Sequence, residues 1–350
     1  MAGEHRTSRR RTACAPLVAL LLLVLVSSGG HGGGGVKASE RVAAAAATRR
    51  ALAAARPTTP EARLRAAVTS RNATVLRLTS DILLTSDLPL MTCPNLTVVG
   101  NCRTRDGRWR SCKIDGGKKF FGFRSLSQSL DFHITIRLDT GFHSGSTPRL
   151  ELVNLHLTNF HQPIVEILGF VVVRNCLVTK NTVTGFSFSA YELRFERSTF
   201  TSNNGSLIGG MYVNVHLKGA VFRSNIGGPA ITFYQGGVYG ERCRFEANSG
   251  GAVGVTHGGV RFIRSSFVNN SGGAVSIAYD ASGIFCHCEF AGNSDTLSEG
   301  RSIVRHVYFG GVVSWSAGVQ FCKQRPRVGV VLEKPDLASY IKDSCKECPK

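Results

Sequence analysis

Phe200-Thr-Ser-Asn203, Phe222-Arg-Ser-Asn225, Phe245-Glu-Ala-Asn248, Phe267-Val-Asn-Asn270 and Phe290-Ala-Gly-Asn293 repeat one pattern, and their asparagines stand 22, 23, 22 and 23 residues apart. Stepping back by 22 reaches Asn181 and then Asn159, so seven asparagines fall on one interval. After three of them a glycine pair opens a short apolar alternation: Gly227-Gly228-Pro-Ala-Ile, Gly250-Gly251-Ala-Val and Gly272-Gly273-Ala-Val. Seven and five residues before the Phe-type position stand the apolar pairs Val171/Val173, Leu193/Phe195, Val215/Leu217 and Val260/Phe262. Two before it stands a small residue: Cys176, Ser198, Ala220, Cys243, Ser265 or Cys288. Each period thus holds about three stretches of period-two alternation punctuated by Gly or Asn, which is the pattern of strands and turns. No helical stripe competes beyond residue 72.

A period of this length with three strands and no helix predicts an all-β fold, a right-handed parallel β-helix. It is a solenoid of about ten coils of 22–23 residues, three strands per coil. The hand follows from parallel crossovers being right-handed almost without exception. Asn159, Asn181, Asn203, Asn225, Asn248, Asn270 and Asn293 then form a structural ladder. An Asn at the same tight corner of each coil tolerates left-handed backbone, and its amide bonds the Asn above and below. Val75 to Leu78, Ile82 to Leu84, Leu96 to Val99 and Ile114-Asp115-Gly116-Gly117 carry weaker strand and turn signals toward the N-terminus.

Outside the repeat, residues 1–28 read as a secretory signal peptide: Arg6 and Arg9 to Arg11, an apolar run from Leu17 to Val26, then small residues. The run is too short to span a bilayer, and a signal-anchor or an Arg-rich transit peptide fits the same residues. Residues 29–70 read as a low-complexity leader or linker, 71–325 as the β-helix and 326–350 as a Cys-containing tail. The expected location is secreted, extracellular or cell-surface, with no integral membrane segment after signal removal. Sequons at Asn72, Asn95, Asn204 and Asn269 fit a glycoprotein.

The chain of 350 residues carries 42 Lys+Arg against 23 Asp+Glu, a net charge of +19. Positions 1–70 hold 11 basic and 3 acidic residues, so the remaining 280 keep 31 and 20, a net of +11. A basic secreted surface suits acidic polysaccharide, or a wall or matrix polymer. No nucleic-acid-binding signature is present, and mere solubility explains the charge equally well.

With Phe-x-x-Asn and Gly-Gly-Ala-Val/Ile repeating, the chain resembles the pectin-lyase-like right-handed parallel β-helix superfamily, and its repeats look closest to those of the polymorphic outer membrane proteins. The match covers roughly residues 150–325 well and 72–150 loosely. The latter proteins are surface adhesins carried by a membrane barrel, for which the end Cys345-Lys-Glu-Cys348-Pro-Lys350 leaves no room, so the resemblance implies an exposed β-helix alone.

Superfamily members that cleave acidic polysaccharide need grouped carboxylates. Between Asp139 and Asp280 there is no Asp, and the column Arg174, Glu196, Lys218, Glu241 alternates in sign, as a surface salt-bridge ladder does. An enzyme is therefore disfavoured; no catalytic residue, cofactor or metal is assigned. A divergent lyase or hydrolase is the rival, drawing carboxylates from Asp106, Asp115, Asp131, Asp139, Asp280 or Asp295. A third reading is a plain structural rod or a piece of a larger protein. Thr256-His257-Gly258 faintly resembles the Gly-His-Gly element of polygalacturonases, without the aspartates.

The favoured function is a non-enzymatic interaction or adhesion module that binds acidic glycan through two columns. Nine residues after each ladder Asn stand Tyr212, Tyr234, His257 and Tyr279, either a sugar platform or a filled core edge. Three before the Phe position stand Arg197, Arg242, Arg264 and His287. About thirteen extra residues are expected to bulge near Thr296 to Tyr308.

Removing Cys14 with the signal leaves ten cysteines, which suits an oxidising compartment. Cys102 and Cys112 bracket a hydrophilic excursion and are expected to bridge. Cys286 and Cys322 align on adjacent coils and are expected to bridge as well. Cys176 and Cys243 lie too far apart to pair and read as buried thiols. Cys286-His287-Cys288 with Cys345-x-x-Cys348 offers an alternative zinc set.

Overall fold

A computed structural model describes residues 59–125 and 147–293, apart from 168, 183–184, 189–190 and 278–280. It also describes Val304–Arg305, Val319–Cys322, Ile341–Lys342 and Cys348. The chain divides into two units, Met1–Arg56 and Pro57–Lys350. The first, which holds the residues read as a signal peptide and most of those read as a leader, lies outside the described residues.

Pro57–Lys350 is a parallel β-solenoid, and each coil contributes strands to three faces. Face A holds the longest strands: Gly169–Arg174, Tyr191–Glu196 and Val213–Lys218 pair in parallel, Phe170 opposite Glu192 and Glu192 opposite Asn214. Face B is a nine-stranded sheet of short strands such as Thr199–Thr201, Val221–Arg223 and Arg244–Glu246. Face C holds strands such as Phe186–Phe188 and Ile208–Gly210. In two coils one strand serves both C and A: Ile231–Glu241 and Val253–Ile263 bend at Gly236 and Gly258. A Cβ there would collide with the carbonyl oxygen of Val213 or Gly236 one coil away, so these corners require glycine. Among the described residues the turns number about eight rather than ten.

The repeat has a physical cause inside the stack. Phe200, Phe222, Phe245, Phe267 and Phe290 lie opposite one another on face B. Their rings stack nearly parallel with centroids 4.6–4.9 Å apart, the spacing of the strands themselves. Phe195, Phe262 and Phe285 meet this stack edge-on from face A. Burying each such ring contributes roughly 2–3 kcal/mol.

Three residues after each ring stands the buried asparagine. Asn203 Nδ2 donates to Asn225 Oδ1 at 3.0 Å and to the Val178 carbonyl at 3.0 Å, and Asn225 Oδ1 also accepts the Asn203 backbone N–H at 3.1 Å. The same set of bonds repeats at Asn225, Asn248 and Asn270. A fully buried amide is tolerated because both its protons and its oxygen are satisfied.

Two details differ from the sequence reading. The left-handed residue at this corner is the one before each ladder Asn: Lys180, Ser202, Ser224, Ala247 and Asn269. Asn159 is not a rung. Strand Leu155–Thr158 pairs with Leu177–Thr179 at an offset of 21, His156 opposite Leu177, which puts Phe160 at the ladder position. The Phe160 N–H donates to Asn181 Oδ1 at 2.9 Å, and Asn159 takes the left-handed corner (φ 58).

The N-terminal coils are held differently. Helix α1, Pro60–Val68, lies in the stretch read as leader, yet its Leu64 and Val68 are buried in the core of the first coils. Thr59 caps it, accepting from the Ala62 N–H. Cys102 and Cys112 are joined across an antiparallel hairpin, Cys102–Arg103 with Trp109–Arg110.

Cys286 is bonded to Cys348, not to Cys322. The strand register does set Cys322 opposite Cys286. However, Ile341–Lys342 pairs alongside Phe321 and Cys322, and Cys348, further along the tail, is the residue bonded to Cys286. The zinc set fails on the same ground: Cys286 is consumed, and Cys288 is buried with its thiol pushed up to about 12 by burial. Burial likewise pushes Cys176 and Cys243 up to about 12, so these are inert core thiols. The expected bulge after Asn293 is split, because Val304–Arg305 sits on face C opposite Val275 and Ser276. The rest of that segment lies outside the described residues.

Candidate functional site

The two columns singled out in the sequence prove to be the two edges of face A. Arg197, Arg242, Arg264 and His287 occupy the corner where face A turns into face B, all exposed and all left-handed, with φ of 48–53°. Each is preceded by the last strand residue of face A and followed by the buried small residue Ser198, Cys243, Ser265 or Cys288. The small residue turns inward, so the long cation before it must project into solvent. Backbone bonds hold the file in line: Arg197 N–H donates to the Lys218 carbonyl, Arg242 to Ile263 and Arg264 to Cys286.

The opposite edge, between faces C and A, carries Tyr212 (62% exposed), Tyr234 (48%) and His257; Tyr279 lies outside the described residues. These rings do not fill a core edge. They also form no single file. The coil from Asn225 has one additional residue before Ile231, so Gln235, not Tyr234, stands opposite His257. Tyr234 still meets His257 edge-on at 5.2 Å.

Between the edges runs a column the sequence reading passed over: Arg194, His216, Tyr239 and Arg261, opposite one another on successive coils. Its signal was available as the polar residue enclosed by each apolar pair. His216 and Tyr239 stack at 5.1 Å, and the Tyr239 ring leans along its own strand over Gly237. Face A thus presents an aromatic edge, a mixed middle and a basic edge, roughly 20 Å from one edge to the other.

Acidic residues interrupt the strip toward its N-terminal end. Glu192 pairs with Arg194 at 2.6 Å and lies 3.5 Å from His216. Glu196 pairs with Arg174 at 3.1 Å, and Arg174 also reaches Glu151 at 2.8 Å. Of the expected salt-bridge ladder, only this Arg174–Glu196 rung forms an ion pair among the described residues. Glu241 lies 3.7 Å from Arg242. From Val253 onward the outward positions of face A and its basic corner carry Arg261, Arg264 and His287 with no described acid.

Of the carboxylates proposed for the rival enzyme, the two among the described residues, Asp106 and Asp115, do not make an acid–base pair. Asp106 is exposed in the disulfide hairpin, 3.1 Å from Arg108. Asp115 lies at a corner of the stack. Burial pushes its pKa up, but the Gly117 N–H, the Asn159 amide and Lys113 outweigh this and hold it below the usual aspartate value. Asp81 behaves alike: burial raises it, and Arg110 and the Lys113 N–H bring it lower. Beside them His156 is lowered by burial and then by Lys113, and its Nε2 lies 2.8 Å from Thr179 Oγ1. A general acid needs a raised carboxyl, and the described carboxyls that shift all move down. Asp131, Asp139, Asp280 and Asp295 lie outside the described residues.

The sequon residues Asn72, Asn95, Asn204 and Asn269 are all exposed. No helix among the described residues is long and apolar enough to cross a membrane. No protein-family model, curated protein or solved structure matches the chain.

Proposed function

We propose that the chain is a secreted or cell-surface interaction module that binds acidic glycan along face A and performs no chemistry on it. The carrying observation is the file of exposed Arg197, Arg242 and Arg264, continued by His287, along one edge of a face whose middle column adds Arg194 and Arg261. A file of like charge on a rigid stack suits a linear polyanion, and the aromatic edge offers ring faces and hydroxyls to sugars. The resemblance to the pectin-lyase-like superfamily and to polymorphic outer membrane repeats supports the reading, as do the sequons and the basic balance. The lowered carboxyl of Asp115 does not suit the general acid that a rival hydrolase needs.

The test is binding of the purified chain to immobilised polygalacturonate and to a sulfated polysaccharide over a salt series, with an ultraviolet assay for unsaturated uronate. The expected result is binding that weakens steeply as salt rises, with no product. Release of unsaturated product, or no binding at low salt, contradicts it.

A further inference from the structure

The solenoid has two corners with the same left-handed backbone, and they are filled differently. The corner between faces B and C carries Lys180, Ser202, Ser224, Ala247, Asn269 and Gly292, a chemically mixed set. The corner between A and B carries Asn154, Asn175, Arg197, Gly219, Arg242, Arg264 and His287. The first two and Gly219 are the residues such a backbone favours. At Arg197, Arg242, Arg264 and His287 longer side chains stand in their place, so the conformation does not demand a long side chain there and is strained by one. A second cost adds to the first: Arg242 and Arg264 stand on adjacent strands, where like charges repel. Arg197 and Arg264 make no ion pair among the described residues, and Arg242 has only Glu241 at 3.7 Å. Neither packing nor charge balance within the described chain accounts for the file.

We infer that Arg197, Arg242, Arg264 and His287 form the affinity-determining rail for a linear polyanionic polysaccharide lying along the stacking axis, kept at the expense of fold stability. This rests on the glycan-binding reading above. From Arg197 to His287 the rail covers four strand steps, roughly 19 Å, and Arg242 and Arg264 present guanidinium groups from adjacent strands. The polymer therefore carries an anionic group on every unit or nearly so and runs across the strands, not along one of them. The aromatic edge contributes secondarily.

The experiment compares the full-length chain with a triple Asn variant (Arg197→Asn, Arg242→Asn, Arg264→Asn) and the corresponding triple Lys variant, all produced in a host without N-glycosylation because Ser198-Thr199 and Ser265-Ser266 would complete new sequons. Asn is chosen because Asn154 and Asn175 already occupy this corner. Thermal melting and binding to polygalacturonate, to heparin and to methyl-esterified pectin are measured, together with a length series of oligogalacturonides. The Asn variant is expected to melt roughly 2–4 °C higher and to bind the polyanions about tenfold more weakly, while the Lys variant keeps most of the affinity. Affinity is expected to grow with oligomer length until the rail is spanned and then level off. Undiminished binding by the Asn variant, or a lower melting temperature for it, overturns the rail and leaves glycan binding standing. Failure of the unsubstituted chain to bind any polyanion overturns both.

Discussion

The coils from Leu177 to Asn293 and those from Thr74 to Thr158 share one backbone path but are held together by different chemistry. In the later coils every turn contributes an asparagine to a ladder and, from Phe200 on, a phenylalanine to a stack, and no charge is buried in either. In the earlier coils the equivalent corner is held by Asp115, which accepts from the Gly117 N–H and from Asn159 Nδ2, and Asp81 ties Arg110 to the Lys113 backbone. A disulfide and a capping helix complete that end. A ladder needs an asparagine at the same register position of each coil, whether the coil has 22 or 23 residues. The offset of 21 between His156 and Leu177 sets Phe160 at that position, and individual polar contacts take over toward the N-terminus.

The largest expected effect is in the regular part. Phe245→Ala removes a ring stacked on both sides and met edge-on by Phe262, and should cost about 4 kcal/mol by urea unfolding. A loss under about 1 kcal/mol would show that the stack is not a packed core. Next, Asn248→Ala deprives Asn225 of its acceptor and Asn270 of a donor inside the protein, at about 2–3 kcal/mol. Asn159→Gly keeps the left-handed corner and deletes one half-buried bond to Asp115, so its cost should stay within about 1 kcal/mol. Equal costs for the two asparagines would erase the distinction between the regions.

That pair also shows what the sequence could reveal. The Phe-x-x-Asn interval is visible because it states one rule repeatedly: stacked side chains must recur once per coil. Asn159 satisfies the interval by arithmetic but misses the ladder by one position, since a 21-residue coil looks like a 22-residue one when only one landmark is counted. Tyr234 leaves its file for the same reason, through an added residue before Ile231. The edges of face A were legible because they flank strongly patterned strands. The middle column Arg194, His216, Tyr239 and Arg261 was equally available in the alternation and is chemically mixed, so no repeated letter drew attention to it. Cys348 was beyond reach because its approach to Cys286 depends on the pairing of Ile341–Lys342, two residues without a pattern.

Acid separates the regions by a smaller margin. Glu61, Asp81 and Asp115 have folded pKa values below their ordinary 4.5, 3.8 and 3.8, so each stabilises the fold fully above those values and loses that contribution as pH falls through the folded pKa. All three belong to the N-terminal coils and the helix. Amide exchange by mass spectrometry, corrected for intrinsic rates, should show 74–158 losing protection below about pH 4 before 177–293 does. Simultaneous loss in both would mean that these carboxylates do not set local stability.

The most direct measurement is the exchange of the backbone amides of Asn181, Asn203, Asn225, Asn248 and Asn270 at neutral pH. Amides in surface turns ordinarily exchange fast, but each of these donates to the Oδ1 of the next asparagine at 2.9–3.2 Å and is shut away from water. Protection equal to that of the slowest strand amides is the predicted result. Exchange at the rate of exposed turns would contradict a stack whose coils are joined through a continuous file of asparagine side chains.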